Sequence, residues 1–158
     1  MENESIQRRT DSASRLIMAS PQIIYQAFVN PEALISWLPP KGMSGHIELF
    51  DPWEGGNYRM TLTYEMDNAH SGKTSENTDI TQGRFLELVP GQRIVQSVNF
   101  DSKDPSFSGE MIQKWFLDPV SKGTKVTIVC ENVPAGIQKE DHDIGLRSTL
   151  ENLAAFTE

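Results

Sequence analysis

The spacing of apolar and polar positions changes twice along the chain, and each change predicts a different kind of element. Apolar side chains first recur every three or four positions, which predicts two short helices in tandem. Each helix opens on a polar residue followed by proline, at Ser20-Pro21 and again at Asn30-Pro31. This pairing of an N-cap with a residue that needs no N–H is typical of helix starts. Pro39-Pro40 prevents the second helix, predicted over residues 31–38, from continuing.

Strict alternation of apolar and polar residues follows through the middle of the chain and predicts β-strands. The clearest strand places Tyr58, Met60, Leu62 and Tyr64 on one face. Residues 67–79 hold almost no apolar side chain, so they are predicted to form an exposed, mobile loop. The same reasoning predicts further strands over residues 14–19, 45–50, 80–89, 93–100, 111–117 and 125–131.

Helical spacing returns at the C-terminus, where Leu146, Leu150 and Leu153 fall on one face of a helix predicted over residues 139–157. The order of elements is a strand, two short helices, about six strands and one long helix. It predicts an α+β fold, in which a curved antiparallel sheet of about seven strands is covered by the C-terminal helix. Residues 1–10 are expected to be a flexible tail, and residues 11–158 a single domain.

Composition narrows the classes of function. The chain has 158 residues and a net charge of −8, from 22 acidic and 14 basic residues, so most of its surface would repel nucleic acid. A single cysteine, Cys130, fits a reducing compartment. The N-terminal segment lacks the apolar stretch of a signal peptide, and no apolar run approaches the length of a membrane span. We therefore expect a cytoplasmic protein that binds no nucleic acid and does not cross a membrane.

The order and spacing of several short motifs resemble one family over almost the whole chain. The motifs are Ser20-Pro21 with Tyr25-Gln26-Ala27-Phe28, Asn30-Pro31-Glu32 with Trp37-Leu38-Pro39-Pro40, Gly55-Gly56-Asn57-Tyr58-Arg59, Gly83 with Leu86-Glu87-Leu88-Val89-Pro90, Arg93-Ile94-Val95, Gly123-Thr124-Lys125-Val126-Thr127 and Gly145 with Leu150-Glu151-Asn152-Leu153-Ala154. They resemble the heat-shock-protein-90-ATPase-activator-like branch of the START/SRPBCC superfamily. The resemblance implies a helix-grip fold, which commonly encloses an elongated apolar pocket.

The sequence departs from this family at two places. The family often carries a tryptophan after the glycine in the last helix, whereas Leu146 follows Gly145 here. The smaller side chain is expected to enlarge the cavity or to alter its lining. The polar segment over residues 67–79 is also long for the family.

Motifs of catalysis and metal binding are missing from the sequence. It has no zinc-ligand spacing, no nucleophile elbow, no phosphate-binding loop and no dinucleotide fingerprint, so no metal, cofactor or catalytic residue is predicted. The run Glu140-Asp141-His142-Asp143 offers oxygen ligands for a divalent ion, but a solvated acidic helix start explains it better. Cys130 lies in an alternating strand and is predicted to be a core residue. Arg59, Glu87 and Glu110 are acid–base candidates by location alone, without a partner in sequence.

Aromatic, methionine and leucine side chains carry the remaining functional signal. Those expected to line a ligand cavity are Phe28, Trp37, Tyr58, Met60, Leu62, Tyr64, Trp115, Leu146 and Leu150, although residue type alone favours plain core packing. The leading hypothesis is a protein that binds an apolar or amphipathic small molecule without catalysis. The alternatives are an enzyme of the polyketide cyclase or hydrolase type, and a chaperone co-factor or other interaction module. Homodimerisation stays open.

Overall fold

Seven strands and three α-helices form the part of the protein that the computed structural model describes, residues 8–40, 42–65 and 77–158. In chain order the elements are β1 (Arg9–Ile17), α1 (Pro21–Val29), α2 (Pro31–Trp37), β2 (Met43–Phe50), β3 (Asn57–Tyr64), β4 (Thr78–Val89), β5 (Arg93–Phe100), β6 (Met111–Val120), β7 (Gly123–Val133) and α3 (Lys139–Thr157), with a 3₁₀ turn at Pro105–Phe107. The strands form one antiparallel sheet in the order β1-β7-β6-β5-β4-β3-β2. The predicted α+β fold is confirmed.

The two short helices form a joined pair. Ser20 Oγ accepts the N–H of Ile23 at 3.2 Å, and Asn30 Oδ1 accepts the N–H of Ala33 at 3.0 Å, so both predicted N-caps are present. The buried indole of Trp37 in α2 donates from Nε1 to the carbonyl oxygen of Ala27 in α1 at 2.9 Å. Because this bond connects the two helices in the core, α1 and α2 are expected to move together.

The long helix α3 occupies the predicted range and buries the predicted stripe, Leu146, Leu150 and Leu153. It packs on β1 and contacts both short helices. Asn152 Nδ2 donates to the carbonyl oxygen of Pro39 at 2.9 Å, which holds the end of α2 against α3. No helix in the described segments is both long enough and apolar enough to cross a membrane.

Several strands begin or end at other residues than the sequence predicts, and two of these differences turn a predicted tail or loop into strand. β1 begins at Arg9 rather than residue 14, inside the segment predicted to be a tail. The alternation pattern missed this start because the inward position 11 holds a paired charge, Asp11, and not an apolar residue. β4 begins at Thr78, and Asp79 is buried, so these two residues were wrongly assigned to the exposed loop. Residues 67–76 of that predicted loop, and residues 1–7 of the predicted tail, lie outside the described residues.

Candidate functional site

A small cavity lies between the inner face of the sheet and the α1–α2 pair. Its apolar wall consists of Phe28, Val29, Leu34, Leu38, Phe50, Met60, Phe85, Leu88 and Trp115. The remaining lining residues are Tyr58, Gln96 and Gln113. The cavity volume is about 20 Å³, which is room for about one water molecule.

Close aromatic contacts, most of them edge-to-face, account for the small size of the cavity. The Phe28 ring packs against Trp115 with centroids 4.8 Å apart and against Trp37 with centroids 4.9 Å apart. At the other side of the cavity, Phe85 lies 5.5 Å from Tyr58 and 5.6 Å from Phe50. Such pairs are favourable beyond their area burial, so the closed arrangement is a stable one.

Tyr58 is the titratable residue in the cavity wall, and its hydroxyl is fully engaged. Its O–H donates to the carbonyl oxygen of Ser97 at 2.6 Å. Burial raises the pKa of Tyr58 far above its usual value, and a hydrogen bond with Gln96 lowers that pKa by less. The phenol is therefore neutral at physiological pH and is held as a hydrogen-bonding group, which does not suit it to act as a general base.

Gly83 makes the position of Tyr58 possible. Tyr58 on β3 lies opposite Gly83 on β4, and its hydroxyl reaches past β4 to Ser97 on β5. Around this point β4 and β5 do not form a regular ladder, and Ser97 Oγ accepts the N–H of Arg84 at 2.9 Å instead. The side chains of Tyr58 and Ser97 thus replace backbone partners next to the cavity.

Gln113 brings a second carboxamide to the wall. Its Oε1 accepts the indole N–H of Trp115 at 3.2 Å, and its Nε2 donates to Cys130 Sγ at 3.6 Å. The amide orientation is set by these two neighbours. Sequence reasoning missed Gln113 and Gln96 as wall residues. For Gln113 a signal existed, because it shares its strand parity with the buried residues Met111, Trp115 and Leu117.

The structure brings together four of the nine residues predicted to bind a ligand: Phe28, Tyr58, Met60 and Trp115 all line the cavity. Trp37 is buried behind Phe28 and Trp115, with its ring centroid 5.9 Å from that of Trp115. The other four lie away from the wall, Leu62 and Tyr64 half-buried further along β3 and Leu146 and Leu150 buried in α3. Leu146 is not among the residues that line this cavity, and its effect on the cavity size stays a prediction. The ligand-binding role of the nine residues stays a prediction.

The three acid–base candidates lie outside the cavity wall. Arg59 Nη2 lies 3.1 Å from Asp101 Oδ2, and Arg93 Nε lies 2.7 Å from Glu87 Oε1, in pairs that are partly exposed. Glu110 is exposed, and its backbone carbonyl accepts from Asn132.

Cys130 is buried, as predicted, and its burial raises the pKa of the thiol to about 12. The thiol is therefore a poor nucleophile, and its place is in the core. Within the described residues no group of three His, Cys, Asp or Glu side chains is arranged to hold a metal ion.

A buried charged cluster joins β1 to the start of α3. Asp11 is completely buried and accepts from Arg9 Nε at 2.8 and 3.0 Å, and its Oδ2 lies 2.7 Å from His142 Nδ1. Burial raises the pKa of Asp11, but the hydrogen bonds and charges of Arg9 and His142 outweigh it, so the net pKa is below the usual range. Within the helix start that was predicted to be solvated, Glu140 and Asp141 are exposed, whereas His142 and Asp143 are half-buried. No sequence signal connects positions 131 residues apart.

Comparison with known proteins agrees with this fold. Residues 18–158 match the family model described as "Activator of Hsp90 ATPase homolog 1-like protein". The chain belongs to this family. Several solved structures are similar to this family member. A protein of Chromobacterium violaceum shares 35% identity with a TM-score of 0.82, and the alignment covers 95% of this chain and 98% of that one.

More distant structures share the fold alone. A protein of Mycobacterium smegmatis is 15% identical with a TM-score of 0.72, over 94% of this chain and 90% of that one. The AHSA1-like protein of Aeromonas hydrophila is 13% identical with a TM-score of 0.69, over 94% and 91% of the two chains. No curated protein matches the sequence significantly.

Proposed function

We propose that this protein binds an apolar or amphipathic small molecule between the inner face of the sheet and the α1–α2 pair, without catalysing a reaction. The observation that carries the proposal is the composition of the cavity wall, nine apolar side chains with the two carboxamides of Gln96 and Gln113. An apolar concavity with a few oriented polar groups is the usual form of a small-molecule site. The fold shared with the family is consistent with a ligand-binding domain.

Ligand entry requires the cavity to open. A volume of about 20 Å³ holds no more than a water molecule, so a bound ligand must displace aromatic side chains or the helix pair. The Trp37–Ala27 bond keeps α1 and α2 together, while the Asn152–Pro39 bond holds one end of the pair against α3. We expect the pair to move as one lid about that end. Because the open state is the minor one, the apparent affinity falls with its population.

The polar groups of the wall select the ligand by charge. Carboxamides donate and accept hydrogen bonds without carrying charge, and none of the lining residues is a carboxylate, lysine, arginine or histidine. An ionised head group would therefore be desolvated without a counter-ion, which is costly. The favoured ligand has a neutral polar end, such as a hydroxyl or a carbonyl, on an apolar body.

Binding can be tested with 1-decanol, 2-naphthol and cholesterol, with decanoate as the charged contrast, by thermal shift and native mass spectrometry. A neutral ligand at about a hundred times its Kd should raise Tm by about 5–10 °C. Leu88→Trp places a larger side chain in the half-buried wall and is expected to abolish the shift. Leu86→Trp, two residues away on the same strand but exposed and outside the wall, is the matched control and should bind like the wild type.

Two results would refute the proposal. One is the lack of any one-to-one adduct or saturable Tm shift with the three neutral compounds. The other is equal binding by the Leu88→Trp and Leu86→Trp variants, which would place the ligand elsewhere on the molecule.

The enzyme alternative receives no support from the wall. Among the lining residues Tyr58 is the titratable group, and its hydroxyl is neutral and bonded to Ser97. General acid–base catalysis needs a group that exchanges a proton near the working pH.

A further inference from the structure

A second concave surface lies where β1 ends beside the turn between β6 and β7, away from the cavity described above. Its volume is about 470 Å³, and it is open to solvent. Its lining consists of Ser14, Arg15, Leu16 and Met18 from one part of the chain and Val120, Ser121, Lys122 and Lys125 from another. We call it the β1 depression.

Three large apolar side chains line the β1 depression and are exposed. Leu16 is 53% exposed, Met18 48% and Val120 44%. Single exposed apolar residues are ordinary on a protein surface, whereas these three are grouped in one concave surface. The three come from β1, the segment after it and the end of β6, so the tertiary structure brings them together.

The charge of the β1 depression opposes that of the whole molecule. Its lining contains Arg15, Lys122 and Lys125 and no acidic residue, in a chain with 22 acidic and 14 basic residues. Two acids contact or adjoin lining residues: Asp118, opposite Lys125 in the β6–β7 ladder, and Glu158, whose side-chain carboxylate accepts the N–H of Met18 at 3.1 Å. A locally basic concavity on an acidic protein attracts an anionic partner and steers its approach.

The shape of the site favours a peptide chain over a membrane surface. A bilayer is flat on this scale, whereas the depression is concave and bordered by the turn between β6 and β7. Leu16 lies opposite Lys125 in the β1–β7 ladder, so an apolar and a basic side chain stand next to each other in the lining. A partner that satisfies both must carry apolar and acidic side chains close together, as a short peptide segment can.

We propose that the β1 depression docks a short acidic and partly apolar peptide segment of a partner protein. Carboxylates of the segment lie beside Arg15, Lys122 and Lys125. Its apolar side chains cover Leu16, Met18 and Val120. The proposal is independent of ligand binding in the cavity, since the two sites share no lining residue.

The test is fluorescence anisotropy of the full chain with a fluorescein-labelled peptide of alternating Glu and Leu. The double variant Arg15→Glu/Lys122→Glu reverses two charges of the depression. The matched control Arg84→Glu/Lys103→Glu makes the same change in net charge at exposed positions outside it. We expect saturable binding by the wild type and the control, and a loss of about tenfold or more in the first variant.

Two further measurements sharpen the result. Binding should weaken as salt rises from about 0.01 M to about 0.15 M, because the Debye length falls from about 30 Å to about 8 Å. Leu16→Ser should also weaken binding, and it serves as the test if circular dichroism shows that the double variant is unfolded.

Four outcomes would overturn the proposal. The first is no saturable binding of the peptide by the wild type. The second is an equal loss in both double variants, which would indicate net charge alone. The third is that the wild type binds phosphatidylserine vesicles but not the peptide, and that the Arg15→Glu/Lys122→Glu variant no longer binds the vesicles. The fourth is that the wild type self-associates in analytical ultracentrifugation, that this variant does not, and that the peptide fails to compete with self-association. The fourth outcome would assign the surface to a second copy of the chain.

Discussion

At the scale of single residues, Asp11 is a buried charge that joins two distant parts of the chain. Its carboxylate is buried, yet it has hydrogen-bonding partners on both sides, Arg9 from its own strand and His142 from α3. Removing one partner of a buried charged group costs much more than removing a surface pair, because the remaining charge keeps its desolvation penalty. Asp11 therefore connects the N-terminal strand to the C-terminal helix energetically.

Asp11→Asn should lower the free energy of unfolding at pH 7 by about 1–3 kcal/mol, measured by urea denaturation. Asp101→Asn is the control, because Asp101 pairs with Arg59 at the surface and should contribute less than about 1 kcal/mol. A smaller effect for Asp11→Asn than for the control would contradict the assigned role of the buried cluster.

The pH dependence of stability should report the same group. The pKa of Asp11 is lowered from its usual 3.8, so it binds a proton less readily in the folded state than in the unfolded state. Ionised Asp11 therefore stabilises the folded state above pH 3.8. As the pH falls below 3.8 and passes through the lower pKa that Asp11 has in the folded state, the carboxylate is protonated and this stabilisation is lost. The decline in Tm below pH 3.8 should be shallower in Asp11→Asn than in the wild type.

Cys130 should be inert in the folded protein. Burial raises the pKa of its thiol to about 12, so almost none is thiolate at neutral pH. A thiol-specific disulfide reagent such as Ellman's reagent should leave the native protein unlabelled at pH 7.5 and should label one thiol per chain in denaturant. Rapid labelling of the native protein would show that the core around Cys130 opens.

At the scale of elements, the close approach of β4 to β5 at Gly83 supports the cavity wall. A Cβ at this position would lie 2.7 Å from the carbonyl carbon of Ser97 and closer still to its oxygen, which is the acceptor of Tyr58. A glycine in a strand often marks such a backbone approach. The glycine thus lets a tyrosine on β3 bond to β5.

Gly83→Ala should destabilise the protein by about 2 kcal/mol or more, because backbone rather than a flexible side chain would have to shift. Gly145→Ala is the matched control: the glycine is inside α3, and among the described residues no atom other than the local backbone of that helix lies within 4 Å of the added Cβ. That change should stabilise by about 0.5–1 kcal/mol. Thermal unfolding of both variants checks the pair, and a neutral Gly83→Ala would count against the described strand contact.

At the scale of the whole molecule, the α1–α2 pair and the sheet enclose two tryptophans while a third lies outside. Trp37 and Trp115 are each about 1% exposed, whereas Trp53 is 60% exposed. A lid that opens for a ligand must change the surroundings of the two buried indoles, because Phe28 contacts both. Tryptophan fluorescence therefore reports the closed state and its opening.

Trp53→Phe should leave a protein whose emission is blue-shifted and barely quenched by acrylamide, since only the two buried indoles remain. Addition of a cavity ligand should change that emission in the variant. Strong acrylamide quenching of the variant before ligand is added would show that the closed arrangement is not the dominant state in solution.

Much of the architecture could be predicted because local physics specifies it. The Ser20-Pro21 and Asn30-Pro31 pairs start helices by capping, and the spacing of Leu146, Leu150 and Leu153 places α3 with its predicted limits. The early part of β1 and the first residues of β4 were missed, because Asp11 and Asp79 are polar residues at buried positions. Alternation rules identify strands only where inward positions are apolar.

The candidate site was predicted only in part, for a related reason. The chain sequence determined by itself the fold class, the helix starts, the core position of Cys130 and the acidity of the surface, since each depends on a residue and its near neighbours. Tertiary structure alone decided that aromatic packing closes the cavity to about 20 Å³, that Gln113 joins its wall, and that Asp11 meets His142. It also decided that Arg15 and Lys122 share one concave surface. These facts depend on distances between residues far apart in the chain, which periodicity and composition do not encode.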